Sequence, residues 1–289
     1  MAKPSNVPEI PLKAKILVPI FPLYELVAPK SANQFIVDMF LTPLSFPIPE
    51  EEVSFKLKAD IDSFPFQGEE LMTYSWGNPS HKTVFMMHGW AGRATQFRFI
   101  IDALVNSNLH VIAMEGPGHN PKSSKKTNVV EFATALSAFL KDKEIFAAVG
   151  HSLGALALLY AIENFNLKPQ KLVTISAPTI AKDVIDIYRK KINATKRAHK
   201  AIDRFVMNKM NKPFAYFSGI EIAKRLQEKA IRKHLIIHDK NDREAPVNHA
   251  RELHKVLPHA ELFETQTLGH VRLLKDAVVI KRVVNFLNS

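Results

Sequence analysis

A serine stands between two glycines in the stretch Gly150-His151-Ser152-Leu153-Gly154. A serine hydroxyl is a weak nucleophile, so it needs a histidine as general base and an acid that orients the histidine. The strand-like run IFAAVG leads into this stretch, and the helix-like run ALALLYAIENF leads out of it. A strand, a sharp turn and a helix are the surroundings that a G-x-S-x-G nucleophile elbow requires. We therefore predict that Ser152 is a nucleophile, with a structural turn serine as the alternative.

The general base is expected after the nucleophile and the acid in the chain order typical of such elbows. His270, in QTLGHVRLL, follows the last strand-like run, and Gly269 before it permits a close backbone approach. His249 and His254 lie five residues apart on a predicted helix, so they do not share a face and are expected at the surface. His238 is expected to be a hydrogen-bonded interior histidine at a strand end. We therefore predict His270 as the base.

Three carboxylates follow the strand-like run HLIIH, namely Asp239, Asp242 and Glu244. Asp239 lies at the strand end, whereas Asp242 lies three residues into the loop. The loop position gives Asp242 more reach toward a histidine beyond the neighbouring strand. We predict Asp242 as the orienting acid, with Asp239 as the second candidate, and the carboxylate that is not used should cap or shape the turn.

Acyl transfer also requires two hydrogen-bond donors for the oxyanion that forms in the transition state. The backbone N–H of Leu153 lies at the N-terminus of the predicted helix, where donors point at developing negative charge. The second donor should come from the loop after the strand-like run TVFMMHG, and the backbone N–H of Trp90 is the candidate. His88 in the same loop is expected to shape it rather than act as a second base.

These residues sit in an alternating pattern of strands and helices that begins near Val53. The strand-like runs are VSFKL, LMTYSW, TVFMMHG, HVIAMEG, IFAAVG, KLVTIS, HLIIHD and AELFETQ. The first two resemble an opening pair, and the later apolar runs alternate with helices, which indicates buried parallel strands with right-handed crossovers. Reactive groups collect beyond the carboxyl ends of such strands. The sequence therefore predicts an α/β fold with a mostly parallel eight-stranded sheet flanked by helices.

Two segments fall outside this pattern. Residues 178–229 are rich in Lys, Arg and helix formers and show no strand-like run of the earlier kind, so we predict a small helical lid. The α/β core would then comprise residues 53–177 and 230–289. Residues 1–52 are predicted to form an N-terminal extension packed on the core, with an amphipathic helix over residues 31–43.

The composition of the 289 residues limits the kinds of site that the chain can build. It contains no cysteine, which excludes disulfides and thiolate metal sites. The net charge is +11, and residues 182–232 hold fourteen Lys or Arg against five Asp or Glu, a local net charge of +9. We interpret this segment as a solvated basic helical surface. A funnel for anionic substrates and a membrane-surface patch are the alternatives.

Membrane insertion and nucleic-acid binding are not expected. The apolar run KILVPIFPLYELVA is interrupted by Pro19, Pro22 and Glu25, so it is too short and too broken to span a bilayer. We predict no stable membrane insertion and a cytoplasmic location, with a peripheral anchor as the alternative for this region. No aromatic-interleaved basic motif or nucleic-acid module is visible, which argues against a nucleic-acid partner.

Several motifs together make the chain resemble the α/β-hydrolase family from about Val53 to the C-terminus. They are HGW (88–90), EGPGH (115–119), GHSLG (150–154), HDKNDREAP (238–246) and LGH (268–270). The acid loop of relatives commonly reads His-Gly-x-x-Asp-x-x-Val-Pro, a pattern that also assigns the acid to Asp242. The chain departs from relatives at Asp239, where glycine is usual, at Glu115, where Asp is frequent, and at Asn120, where glycine is common.

The resemblance implies a serine hydrolase that works through an acyl-enzyme and requires no metal or cofactor. The single HG-x oxyanion loop resembles the branch with esterases and thioesterases of small or medium acyl groups. We therefore expect hydrolysis of small-molecule carboxylic esters. Hydrolysis of acyl-CoA or another thioester is the alternative, and a non-catalytic ligand-binding protein is the alternative from a different class. The sequence does not indicate an oligomeric state.

Overall fold

The structure, a computed structural model, describes residues 12–120, 125–226 and 231–289. The first eleven residues of the predicted N-terminal extension lie outside these ranges. The predicted end of the lid at residue 229 lies outside them as well.

A single twisted sheet of eight strands forms the centre of the described part of the chain. The strands are β1 (Asp60–Phe66), β2 (Glu69–Trp76), β3 (Thr83–Met87), β4 (His110–Met114), β5 (Ala147–His151), β6 (Lys171–Ile175), β7 (Lys233–Asp239) and β8 (Glu261–Thr265). Their spatial order is β1-β2-β4-β3-β5-β6-β7-β8. The β1–β2 and β2–β4 pairs are antiparallel, and the remaining pairs are parallel. The predicted mostly parallel eight-stranded sheet is therefore confirmed.

Helices cover both faces of the sheet. They are α1 (Leu12–Val27), α2 (Pro29–Leu41), α3 (Glu50–Lys56), α4 (Arg98–Val105), α5 (Val129–Leu140), α6 (Leu153–Asn164), α7 (Ala181–Lys191), α8 (Arg197–Met210), α9 (Gly219–Arg225), α10 (Asn248–Val256), α11 (Gly269–Arg272) and α12 (Ala277–Asn288). Side chains of α5, α6, α9 and α10 form one buried apolar cluster with the sheet, and side chains of α3, α4 and α12 form a second. The central strands are buried on both faces because helices lie on each side, which explains their continuous apolar runs.

The prediction that VSFKL opens the sheet was wrong. The first four of these residues belong to α3 and Leu57 is its C-cap, and the first turn of α3 carries three glutamates that stabilise a helix N-terminus. Glu52 and Phe55 are the buried residues of α3, and their three-residue spacing fits a helix rather than a strand. The first strand is instead β1, an exposed edge strand that includes Pro65 and pairs with β2 on one side.

The chain before the sheet forms a pair of helices, α1 and α2, that packs against α7 and α8. The shared apolar cluster includes Phe21, Ile36, Ile185 and Ile202. The hydroxyl of Tyr188 donates a hydrogen bond of 2.8 Å to the carbonyl of Ile36. The predicted amphipathic helix over residues 31–43 corresponds to α2. The division into extension, core and lid stays a prediction.

None of the helices in the described ranges is long and apolar enough to cross a membrane.

Candidate active site

Ser152 lies in a strained turn between β5 and α6. Its backbone angles are φ 51° and ψ −122°, a left-handed conformation that side-chain-bearing residues rarely adopt. The turn is held by a hydrogen bond of 2.8 Å from the Ser152 N–H to the carbonyl of Ile175 in the neighbouring strand. A Cβ atom on Gly154 would lie 2.2 Å from the Met87 carbonyl oxygen, and one on Gly150 would lie 2.5 Å from Ala155 Cα. The two glycines therefore allow α6 to pack tightly on β3 and β5.

Asp242 and His270 come together although 28 residues separate them. The Nδ1 atom of His270 lies 2.7 Å from Oδ2 of Asp242. The carboxylate can only accept a hydrogen bond, so Nδ1 carries the proton and Nε2 is left as the basic nitrogen. This is the tautomer in which a histidine can take a proton from a serine hydroxyl.

The Asp242 carboxylate is fully buried and held in the ionised form. Burial by itself raises its pKa, but hydrogen bonds from His238 and His270, together with the charge of His270, hold that pKa well below the usual range. The other carboxylate oxygen accepts hydrogen bonds from the N–H groups of Glu244, at 2.8 Å, and Ala245, at 2.9 Å. A carboxylate with both oxygens occupied has a fixed orientation, which in turn fixes the imidazole ring.

Asp239, the second candidate for the acid, has a different set of partners. Its Oδ1 accepts from the N–H groups of Asn241 and Gly269, each at 2.9 Å. Its Oδ2 accepts from the Leu268 N–H at 3.0 Å and from the Thr265 hydroxyl at 2.8 Å. Although burial opposes it, these hydrogen bonds lower the pKa of Asp239. This carboxylate therefore holds the backbone of the loop that leads directly into His270.

His151 was not singled out by the sequence analysis, yet it contacts the predicted base. Its Nε2 atom lies 2.9 Å from the backbone carbonyl of His270, and the two rings lie 4.8 Å apart. Burial, and secondarily the neighbouring His270, lower the pKa of His151 to about 3, so its ring is neutral and Nε2 donates. In the residues that the structure describes, no hydrogen bond links the Ser152 hydroxyl to His270 directly. The residue preceding the serine, His151, instead contacts the backbone of His270.

The loop after β3 lies directly against the elbow. A Cβ atom on Gly89 would lie only 2.7 Å from Cβ of Ser152, so the loop backbone touches the serine. The backbone N–H groups of Trp90 and Leu153, the two predicted oxyanion donors, border this contact. Within the described ranges, neither N–H donates a hydrogen bond to the protein. Both donors are thus available for another acceptor.

Two further histidines fix the conformation of this loop. His88 is buried; its Nδ1 lies 2.8 Å from the Gly89 carbonyl, and its Nε2 accepts from the Gly116 N–H at 2.8 Å. His119 accepts from the Ala91 N–H at 2.9 Å, and burial lowers its pKa to about 3. His119 was missed as a functional residue, although it ends the EGPGH motif. Both rings act on the loop backbone, so they control where the Trp90 N–H points.

The expectation that His249 lies at the surface was wrong. Its side chain is fully buried, and Nδ1 accepts from the Ile180 N–H at 3.0 Å, which joins α10 to the start of the segment before α7. Burial lowers the pKa of His249 to about 4. His254 is half-buried. His238 is an interior histidine, as expected, with Nε2 2.6 Å from the Ala245 carbonyl. His249 does lie on a helix, but the chain at Thr179 and Ile180, just before α7, packs against it.

A cavity of about 420 Å³ adjoins the loop that follows β3. Ala91 and Gly92, which follow Trp90, form part of its wall, as do His119 and the chain between α2 and α3. Among the described residues, no cluster of three or more His, Asp or Glu side chains could hold a metal ion.

The chain has similarities to known proteins. No family model matches it. It is 23% identical over 147 residues to a protein of Mycoplasma pneumoniae named "Putative esterase/lipase 3", a match that covers 50% of this chain and 53% of that protein. The match thus spans about half the length of that curated relative.

Solved structures resemble most of the chain. The esterase Pf2001 of Pyrococcus furiosus matches with a TM-score of 0.63 and 18% identity, over 86% of this chain and 97% of that one. MGS-MChE2, an α/β-hydrolase enzyme from a lagoon-sediment metagenome, matches with a TM-score of 0.55 and 23% identity, over 78% and 96%. The thioesterase domain from the curacin biosynthetic pathway matches with a TM-score of 0.58 and 14% identity, over 80% and 99%. From the order of its strands, the serine at the turn after β5 and these similarities, the chain has the α/β-hydrolase fold.

Proposed function

We propose that the protein is a serine hydrolase that cleaves carboxylic esters of small to medium acyl groups through an acyl-enzyme. The observation that carries this proposal is the 2.7 Å hydrogen bond between Asp242 and His270 beside the strained elbow at Ser152. A buried, ionised carboxylate that orients a histidine next to such a serine is costly to build and has a known chemical use. The similarity to an esterase/lipase-named protein and to a solved esterase supports the same class.

In the proposed reaction, the Ser152 hydroxyl attacks the acyl carbon while His270 Nε2 takes its proton. Asp242 stabilises the imidazolium that forms, and the N–H groups of Trp90 and Leu153 bind the oxyanion. His270 then gives the proton to the departing alkoxide, which leaves as the alcohol. A water molecule attacks the acyl-enzyme with His270 again as base, and the acid product and free Ser152 are released.

Thioester hydrolysis is the second candidate. The observation that favours it is the basic segment of residues 182–232, which would attract a phosphorylated carrier such as coenzyme A. A solved thioesterase domain shares the fold. A comparison of kcat/KM for acyl-CoA and matched simple esters at low and high salt separates the two. A strong thioester preference that salt weakens would replace the ester assignment.

The direct test uses purified protein, a panel of p-nitrophenyl esters from acetyl to palmitoyl, and a fluorophosphonate probe. Wild-type protein should label and should turn over the shorter esters fastest. Ser152→Ala should abolish labelling and reduce kcat by about 10³-fold or more. Ser137→Ala, which removes a serine hydroxyl from α5, is the matched control and should behave as wild type. Equal turnover by Ser152→Ala would refute the proposal, and a wild-type protein that neither labels nor hydrolyses would favour the non-catalytic binding role.

A further inference from the structure

Every exposed side chain of α1 between residues 18 and 27 is apolar. Its exposed residues are Pro19, Ile20, Pro22, Leu23, Leu26 and Val27. Ile20, Leu23, Leu26 and Val27 are 53%, 59%, 68% and 75% exposed. Helices at the surface of a globular protein normally turn charged or polar residues to solvent. A contiguous apolar face of this kind is typical of an interaction site.

The opposite side of α1 is turned inward and is already occupied. Phe21 and Glu25, one helical turn apart, are buried. The Glu25 carboxylate accepts a hydrogen bond of 2.8 Å from the Thr195 N–H, and Asn193 donates to the Val18 carbonyl at 3.0 Å. The acidic residue of this stretch therefore contributes no negative charge to the exposed face, and the chain at residues 193–195 fixes the orientation of α1.

Positive charge borders the apolar face. The Arg197 guanidinium donates to the Glu25 carbonyl at 3.2 Å, which places it beside the C-terminal half of α1. Lys196 and Lys200 are exposed on the same segment, and Lys30 is exposed at the start of α2, three residues after Val27. Residues 187–202 contain six Lys or Arg and no Asp or Glu. We call the six apolar residues and these four cations together the α1 surface.

We propose that the α1 surface docks on a membrane of anionic phospholipids, with α1 lying along the interface. Exposed aliphatic side chains bordered by lysines and arginines are complementary to a bilayer surface, which offers acyl chains below a layer of negative headgroups. A groove for a folded protein partner would be expected to include aromatic anchors and hydrogen-bonding groups, and the apolar part of the α1 surface contains neither. The proposal is independent of catalysis.

Docking through the α1 surface would also orient the rest of the molecule. The helices that border α1 join the core close to the candidate site. Lys191 Nζ, at the end of α7, lies 3.6 Å from Oε2 of Glu244, two residues after Asp242. The side of the sheet that carries the candidate site would therefore lie near the bilayer.

The test is co-flotation of the full-length protein with vesicles. Vesicles of phosphatidylcholine with about one third phosphatidylglycerol should carry the protein, vesicles of phosphatidylcholine alone should carry little, and added salt should release it. A combined Ile20→Ser, Leu23→Ser and Val27→Ser variant should bind at least about tenfold more weakly. A Lys196→Gln and Lys200→Gln variant should also lose about tenfold or more. Ser152→Ala should bind as wild type, which separates this test from that of the proposed function.

Matched variants control for the number and type of changes. Leu57→Ser, Ile61→Ser and Val278→Ser together remove three exposed apolar side chains elsewhere, and Lys141→Gln with Lys281→Gln removes two exposed lysines elsewhere. Both should bind like wild type, and all variants should melt at similar temperatures. The proposal is overturned if wild-type protein ignores anionic vesicles, if neutral vesicles bind it equally, or if the α1 variants keep full binding. It is also overturned if wild-type protein is a dimer that the triple serine variant converts to a monomer.

Discussion

At the scale of single residues, two neighbouring carboxylates have separate tasks. Asp242 faces the imidazole of His270, whereas Asp239 binds the backbone of the loop that precedes it. Both are buried, and both have a lowered pKa because of their hydrogen bonds. Asp239 therefore fixes the backbone of the histidine loop, and Asp242 fixes the imidazole ring itself.

Replacement of each aspartate should separate the two tasks. Asp242→Asn should reduce kcat for a p-nitrophenyl ester by about 10³- to 10⁴-fold with little change in KM, because an amide donor opposes the Nδ1–H tautomer of His270. Asp239→Gly should reduce kcat by about tenfold or more with little change in KM, because the histidine loop loses its anchor.

Asp239→Asn, which keeps one acceptor oxygen, serves as the control and should lie between wild type and Asp239→Gly. If Asp242→Asn kept most of the activity while Asp239→Asn lost it, the orienting acid would be Asp239.

At the scale of elements, three hydrogen bonds add to the apolar contact between the helix pair α1–α2 and the helix pair α7–α8. Glu25 binds the Thr195 N–H, Asn193 binds the Val18 carbonyl, and Tyr188 binds the Ile36 carbonyl. The first two join α1 to the short connection between α7 and α8. These hydrogen bonds, together with the apolar cluster between the helices, hold α1 and α2 against α7 and α8.

Glu25→Ala should loosen this contact. The partly buried Thr195 N–H would lose its acceptor, which should lower the free energy of unfolding by about 1 kcal/mol. Trypsin should cleave faster after Lys196 and Arg197, because local opening exposes that connection. Glu25→Gln keeps an acceptor oxygen and is the control. Unchanged tryptic cleavage in Glu25→Ala would show that the apolar cluster alone holds the helices together.

At the scale of the whole molecule, the interior contains several neutral histidines. Burial lowers the pKa of His119, His151 and His234 to about 3, and that of His249 to about 4. His234 is bound to Thr174 Oγ1 at 2.9 Å. An unfolded chain protonates these rings below a pKa of about 6.5, whereas the folded protein does not. Their contribution to stability is therefore complete above that pH and is lost as the pH falls from about 6.5 toward 3, or toward 4 for His249.

Stability should accordingly fall in mild acid. Each buried histidine should lower the free energy of unfolding by up to about 1.4 kcal/mol per pH unit below 6.5. Asp239 and Asp242 have lowered pKa values, so their contribution is lost only below about pH 4. Urea unfolding at pH 7.5, 6.5, 5.5 and 4.5, chosen as about unit steps across this range, measures the slope.

His234→Leu should be less stable than wild type at pH 7.5, because Thr174 loses its partner, but should show a shallower slope below pH 6.5. A wild-type stability that stays level down to pH 5 would contradict this account.

The sequence by itself determined the α/β class, seven of the eight strands and the residues from which the candidate site is built. Apolar runs report burial on both faces of a sheet, and local turn chemistry reports the elbow at Ser152, because both depend on neighbouring residues. VSFKL failed as a strand since its β-forming residues are outweighed by the acidic first turn and helical burial of α3.

Only the tertiary structure decided which carboxylate faces His270. Asp239 and Asp242 are three residues apart, and the choice depends on how β8 and its loop pack beside β7. Contacts across 119 residues, such as that of His151 with the His270 carbonyl, and the burial of His249 under the inserted helices are likewise set by packing. No local sequence pattern predicts these contacts, because the residues that make them are far apart in the sequence and meet only in the folded chain.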